Sequence, residues 1–89
     1  MNVSFDVSKS ERNVVLRGIS FELAIGFEWD SALIVEDVRR NYGESRFQAL
    51  GKIEGRLYML VFTPRERKAH VISLRKANKR EVKRYEAQA

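Results

Sequence analysis

Residues 46–75 read RFQALGKIEGRLYMLVFTPRERKAHVISLR, and their apolar side chains recur with the period of strands. Over 46–53 the chain alternates, placing Phe47, Ala49 and Ile53 on one face and Arg46, Gln48 and Lys52 on the other. Glu54-Gly55 has the composition of a tight hairpin turn. Residues 57–62 are apolar on both faces, as a central strand requires. Pro64-Arg65-Glu66-Arg67 reads as a polar turn. A third strand over 69–75 is expected to carry His70, Ile72 and Leu74 on one side and Val71, Ser73 and Arg75 on the other. Connections this short join antiparallel neighbours, so the three strands form a meander.

Beyond the meander, Asn78-Lys79-Arg80-Glu81 pairs a capping residue with an acid three positions on, which opens a short basic helix. Val82 and Tyr85 lie one turn apart and are placed to pin that helix to the sheet. Before the meander, 3–5 reads as a short edge strand. Ser8-Lys9-Ser10-Glu11 matches a capping box, with a helix running to about Leu16 and stopped by Gly18. Ser20 is placed to cap a second helix whose Phe21, Ala24 and Ile25 form one apolar face. Trp29 reads as an anchor in or beside the core, and the type of the apolar run 31–35 is left open. The expected fold is α+β: one domain over 1–89, an N-terminal helical hairpin on an antiparallel meander of three to four strands, with a basic C-terminal helix.

Composition limits the chemistry. The 89-residue chain suits one small domain, and 44% hydrophobic residues suffice for a core. There is no cysteine, which excludes disulfides and cysteine-based metal sites. With a single histidine the usual zinc set is unavailable, and no metal or cofactor is expected. The glycines build no phosphate loop. No segment has the length of a membrane span or the pattern of a signal peptide, which suits the cytoplasm. The net charge of +5 is concentrated: residues 65–89 hold nine Lys and Arg against three acids, +6, and the rest carries −1. Such a patch suits nucleic acid or an acidic protein, or is simply a solvated helix face.

Arginine is the residue type with most to offer. Arg46 and Arg75 on strand faces, Arg56 at a strand start, and Lys79 and Arg80 on the last helix are expected to converge. Guanidinium forks match phosphate oxygens and stabilise charge developing at phosphorus. RNA carries its own nucleophile in the 2′-hydroxyl, so a small basic domain needs only positioning, charge stabilisation and modest proton transfer to cleave it.

The ordered set of residues resembles the BrnT family of type II toxin–antitoxin toxins. It comprises Phe5-Asp6, an Asn13-containing helix ending in Gly18, Phe27-Glu28-Trp29-Asp30, Tyr42-Gly43-Glu44 with Arg46, and Ala49-Leu50-Gly51 before Gly55-Arg56-Leu57. It closes with Ile72-Ser73-Leu74-Arg75-Lys76-Ala77 and Lys79-Arg80-Glu81-Val82-Lys83-Arg84-Tyr85. The resemblance implies a RelE-like fold and a metal-independent ribonuclease that arrests translation. It implies a BrnA-like ribbon-helix-helix antitoxin, two toxins bridged by an antitoxin dimer, and operator DNA reached only through that antitoxin. On this reading Arg75, Arg56 and Arg46 bind and stabilise the phosphate, and Glu81 and His70 are the candidates for proton transfer. Arg17, Lys76, Lys79, Arg80 and Lys83 line the RNA path. Where many relatives read Lys-His-Gly, this chain reads Leu16-Arg17-Gly18. A guanidinium stays protonated, so Arg17 holds a phosphate but moves no proton. The alternative from another class is a non-catalytic basic module that binds an antitoxin or nucleic acid.

Overall fold

In the computed structural model, which describes residues 1–88, five strands form one sheet in the order β1-β5-β4-β3-β2. These are β1 (Val3–Ser4), β2 (Leu33–Glu36), β3 (Phe47–Ile53), β4 (Arg56–Arg65) and β5 (Lys68–Lys76). The helices are α1 (Val7–Arg17) and α2 (Lys79–Ala87), with 3-10 turns at Phe21–Gly26 and Trp29–Ser31. The fold class is the α+β domain expected, and the meander β3-β4-β5 is antiparallel throughout. The undecided run 31–35 supplies the edge strand β2, and β1 adds to β5 in parallel.

Both hairpins of the meander turn on two residues with positive φ, Glu54-Gly55 and Glu66-Arg67. That is the primed-turn geometry that matches the twist of paired strands. The second turn is shorter than the sequence suggested, because Pro64 and Arg65 still pair with Ala69 and Lys68.

A bulge in β5 changes which residues share a face. Val61 pairs with Ser73 but Phe62 pairs with Val71, so Ile72 is the extra residue. Ala69, Val71 and Leu74 therefore all reach the core, and His70 faces the same way as Ser73 and Arg75. This corrects the alternation expected from sequence, which put His70 with Leu74. An extra residue inside an apolar run leaves no mark in the hydrophobic pattern.

The core lies on one face, where Phe21, Ala24 and Phe27 cover Ala49, Leu60, Val71 and Leu74. Each fully buried Leu or Phe there contributes roughly 1.5–3 kcal/mol. Trp29 packs edge-on against Phe27 and Phe62, with centroids at 4.7 and 5.2 Å. Its indole Nε1 is buried without a hydrogen-bond partner.

The expected helical hairpin is present in modified form. The residues after Ser20 wind as a 3-10 turn, whose three residues per turn align Phe21 with Ala24 and push Ile25 outward to 73% exposure. The N-cap of α1 is Asp6, not Ser8: its carboxylate accepts from the Ser8 and Lys9 amides. Gly18 ends α1 at φ 72°, as expected.

The inward positions of α1 are polar. Ser10 Oγ accepts from the Phe21 amide, and Asn13 Nδ2 donates to the carbonyls of Ile19 and Leu74 at 2.8 and 2.9 Å. Asn13 thus satisfies an edge carbonyl of β5 beyond the reach of β1. Val7, Val14, Val15 and Leu16 face solvent instead.

Candidate nucleic-acid interface

The other face of the sheet carries the polar chemistry, and strand register sorts it into rows that run across the strands. The first row is Ser4, His70, Thr63, Arg46 and Asp37, the last two joined by the Asp37 amide on the Arg46 carbonyl. The second is Ser73, Val61, Gln48 and Val35. The third is Arg75, Met59, Leu50 and Leu33. Neighbouring rows are two residues apart along β3 and β4, roughly 6.7 Å, and three apart on β5 between His70 and Ser73, where the bulge adds Ile72.

Helix α2 lies along the third row. Its N-terminus follows β5, and near its other end Tyr85 Oη donates to the Ser31 carbonyl at 3.1 Å. Val82 and Glu86 border a recess of about 380 Å³ with Lys52, Arg56 and Leu57 on the flank away from the second row. At 100° per residue, Arg80 and Arg84 then project on the flank toward the second row.

Arg75 and Glu81 form a two-pronged ion pair, Nη1 to Oε1 and Nη2 to Oε2, each at 2.8 Å. Glu81 Oε1 also accepts from the Asn78 amide, and Asn78 Oδ1 accepts from the Glu81 amide, which closes the capping box. The hydrogen bonds from Arg75 hold the Glu81 carboxyl below its ordinary range and raise Arg75 in turn. The Arg75 side chain stays 35% exposed, so part of its donor fork faces solvent.

The loop between β2 and β3 forms the opposite wall. Asp37, almost completely enclosed, accepts from Arg39 at 2.8–2.9 Å and from Tyr42 Oη at 3.2 Å. The Arg39 hydrogen bonds hold its carboxyl far below the usual carboxylate range. Tyr42, fixed this way, stacks under Arg46, whose guanidinium carbon lies 4.0 Å from the ring centroid. Glu44 lies 3.9 Å from Arg46 and 3.2 Å from Arg65. The Arg46 Nε, the atom nearest Glu44, is buried without a hydrogen-bond partner.

His70 sits in the first row with its Nδ1 2.9 Å from Ser4 Oγ. Burial, and then the charges of Arg65 and Lys9, lower its pKa from the ordinary value. The ring is therefore neutral near pH 7 and shares a hydrogen bond with Ser4 Oγ through Nδ1. Because the folded value is depressed, the His70 contribution to stability is complete above the unfolded value of about 6.5 and is lost as pH falls from there through the folded value. As the chain's one imidazole, its proton resonances titrate without ambiguity. The expected midpoint is below the ordinary value, and a midpoint at or above it would contradict the burial argument.

The expected site residues thus divide. Arg46 and Arg75 share a face but stand two rows and two strands apart, roughly 16 Å between backbones. His70 is with Arg46, also two rows from Arg75. Arg17 joins them: with Arg12, Leu16, Ile72 and Ser73 it lines a cleft of about 310 Å³ at the β5 end of the second row. Arg56 does not, since it lies on the far flank of α2, three residues past the partner of Arg75. Lys76 pairs with Tyr58, a core-facing position, and sits apart from the open rows. Lys79 and Lys83 are exposed on α2. Sequence reasoning missed Arg12, Tyr42, Gln48 and Arg84. Gln48 was visible on the polar face of its strand, but only the pairing register puts it between the arginines.

The second row therefore runs as a strip between the Arg46 row and the Arg75 row. It carries Ser73, Val61, Gln48 and Val35, with Arg46 in the row on one side and Arg75, beside the Arg80 and Arg84 flank of α2, on the other. Among the described residues no three His, Asp or Glu side chains gather as a metal-binding group, and no helix is long and apolar enough to cross a membrane. Residues 5–81 match the family model described as the ribonuclease toxin, BrnT, of type II toxin-antitoxin systems. No curated protein matches the chain.

Proposed function

The chain belongs to the BrnT family of ribonuclease toxins of type II toxin–antitoxin systems, and we propose that it is a metal-independent endoribonuclease that takes RNA along the strip of the second row. The observation that carries this reading is the pair of immobilised guanidinium groups, Arg75 on Glu81 and Arg46 on Tyr42, one on each side of that row.

The substrate's 2′-hydroxyl gives its proton to water as it attacks the adjacent phosphorus in line, the 5′-oxygen of the next nucleotide leaves and takes a proton from water, and a 2′,3′-cyclic phosphate remains. Arg75 stabilises the charge that develops on the phosphoryl oxygens. Glu81 holds Arg75 in place: its carboxylate already accepts three hydrogen bonds, which suits a positioning residue better than a proton acceptor. Arg46, Arg80 and Arg84 hold flanking phosphates, with Arg17 and Arg12 at the β5 end. His70 and Arg75 serve different phosphates, being two rows apart. Arg56, Lys76, Lys79 and Lys83 add to the field that draws RNA in.

The partner in this reading is a BrnA-like ribbon-helix-helix antitoxin, two toxins to an antitoxin dimer, with operator DNA bound through the antitoxin, all in the cytoplasm. Uncovered apolar side chains on α1, with Val15 85% exposed, support a protein partner.

Purified protein incubated with single-stranded RNA in EDTA tests the catalytic proposal. Cleavage to cyclic-phosphate and 5′-hydroxyl ends is expected. RNA that is bound but left intact would favour the binding module, for which the Arg17 substitution speaks. Cleavage only after divalent metal is restored would remove the metal-independent mechanism.

A further inference from the structure

Asn13 has one polar atom left over. Its Nδ2 donates to the carbonyls of Ile19 and Leu74, which fixes the amide, because only the nitrogen can face two acceptors. Oδ1 then accepts nothing among the described residues, yet it is not sealed from solvent. The residue is 7% exposed, and the surface it reaches is the cleft of about 310 Å³ between α1 and β5.

Cations surround that acceptor. Lys9, Arg12 and Arg17 line the same cleft and form no ion pair among the described residues. No carboxylate lines it, Ser73 adds a hydroxyl, and Leu16 and Ile72 add an apolar side. Donors alone would suffice for a bare anion. A nearly buried acceptor among cations calls for a ligand that carries negative charge and a hydrogen-bond donor close together.

We propose that this cleft is a ribonucleotide subsite, in which Lys9, Arg12 and Arg17 hold a phosphate and Asn13 Oδ1 accepts from the neighbouring 2′-hydroxyl; this rests on the reading of the second row as an RNA path. In RNA the 2′-hydroxyl stands beside the 3′-phosphate of its own nucleotide whatever the base, and it is the group that DNA lacks. The cleft is at the small end of ligand pockets, about 300–1,000 Å³, which suits one nucleotide. Ser73 ends the second row on β5, so a strand that follows the row meets α1 here. The choice of RNA over DNA is thus made at the sheet edge by a residue that also holds the fold together.

Asn13→Ala would strip two carbonyls of their donor and unsettle the fold, so the ligand is varied instead. Uridine 3′-monophosphate and its 2′-deoxy and 2′-fluoro forms are titrated into 15N-labelled protein at low salt. None carries a 5′-linked leaving group, so none is cleaved. The ribonucleotide is expected to move the Asn13 side-chain amide and the Ser73 amide resonances. It should bind about fivefold more tightly than either analogue, the usual effect of one hydrogen bond. The 2′-fluoro form keeps the sugar shape of RNA without the donor, so it separates hydroxyl from pucker. Arg12→Gln with Arg17→Gln, both at exposed positions, should weaken all three about tenfold. Equal binding of the three, undiminished binding by the double variant, or no shift at the cleft overturns the subsite. A 2′-O-methyl RNA of about eight nucleotides judges the path separately. If it shifts Arg46, Gln48 and Val61, the path stands without the subsite; if it does not bind, both fall.

Discussion

Arg75→Ala is expected to lower RNA cleavage about 10²–10³-fold, the usual effect of removing one well-placed donor to a developing oxyanion. Growth arrest on induced expression should weaken in parallel. Arg75→Lys should not restore activity, because an ammonium cannot reproduce the two parallel bonds to Glu81. The companion variant Glu81→Gln separates two roles for the acid. It keeps an acceptor for the Asn78 amide but releases the charge that fixes Arg75. If Glu81 positions Arg75, the rate falls and the pH profile keeps its shape. If Glu81 were the general base, the acidic limb of the profile would disappear. Because the folded pKa of Glu81 is depressed, its contribution to stability is present above the ordinary carboxylate range and is lost as pH falls through the folded value. That acid window lies well below assay pH, so stability and rate effects are separable. Folded Arg75→Ala with near-native cleavage would show that the charge stabilisation lies elsewhere.

The largest effect on stability is expected far from the strip, at Gly51. A β-carbon built there lies 2.4 Å from Phe27 Cζ and 2.9 Å from both Cε atoms, well inside contact distance. Phe27 has little room to retreat, being 5% exposed and packed against Trp29, which in turn packs on Phe62. Gly51→Ala should therefore destabilise the domain by about 2–3 kcal/mol through overpacking. For a chain of this size that lowers Tm by roughly 10–20 °C. RNA binding by the folded fraction should be unchanged, because Gly51 faces the aromatic core. A Tm loss of only a degree or two would mean that the ring relocates freely and that the packing described for Phe27 is wrong.

The residues show why some of this was legible in the sequence and some was not. Strands β3 and β4 announced themselves because each has one side chain pattern per face and the Glu54-Gly55 turn between them. The cap of α2 was legible because Asn78 and Glu81 do local chemistry that depends on spacing alone. Strand β2 was not, since Leu33–Glu36 is short and its apolar side chains fall on both faces. The interior of α1 was not, because Ser10 and Asn13 face inward to satisfy backbone groups that only the tertiary fold brings near. For the site, sequence singled out Arg46, Arg75 and Arg17, which the fold arranges around one strip. It could not separate them from Arg56 and Lys76, because the position of α2 and the pairing register decide which side of the helix a cation occupies.

The bulge at Ile72 also governs which changes of chain length this domain tolerates. Deleting one residue between Val71 and Ser73 would restore plain pairing with β4, and half of β5 would then turn over. Either Ala69 and Val71 would leave the core, or Ser73 and Arg75 would enter it. One residue added at the Glu66-Arg67 turn carries no such penalty, since hairpin loops of three residues join the same two strands with their faces kept. An insertion at the turn and a deletion in the strand, a few positions apart in sequence, thus have opposite fates: the turn absorbs its change, and the strand that carries Ser73 and Arg75 does not.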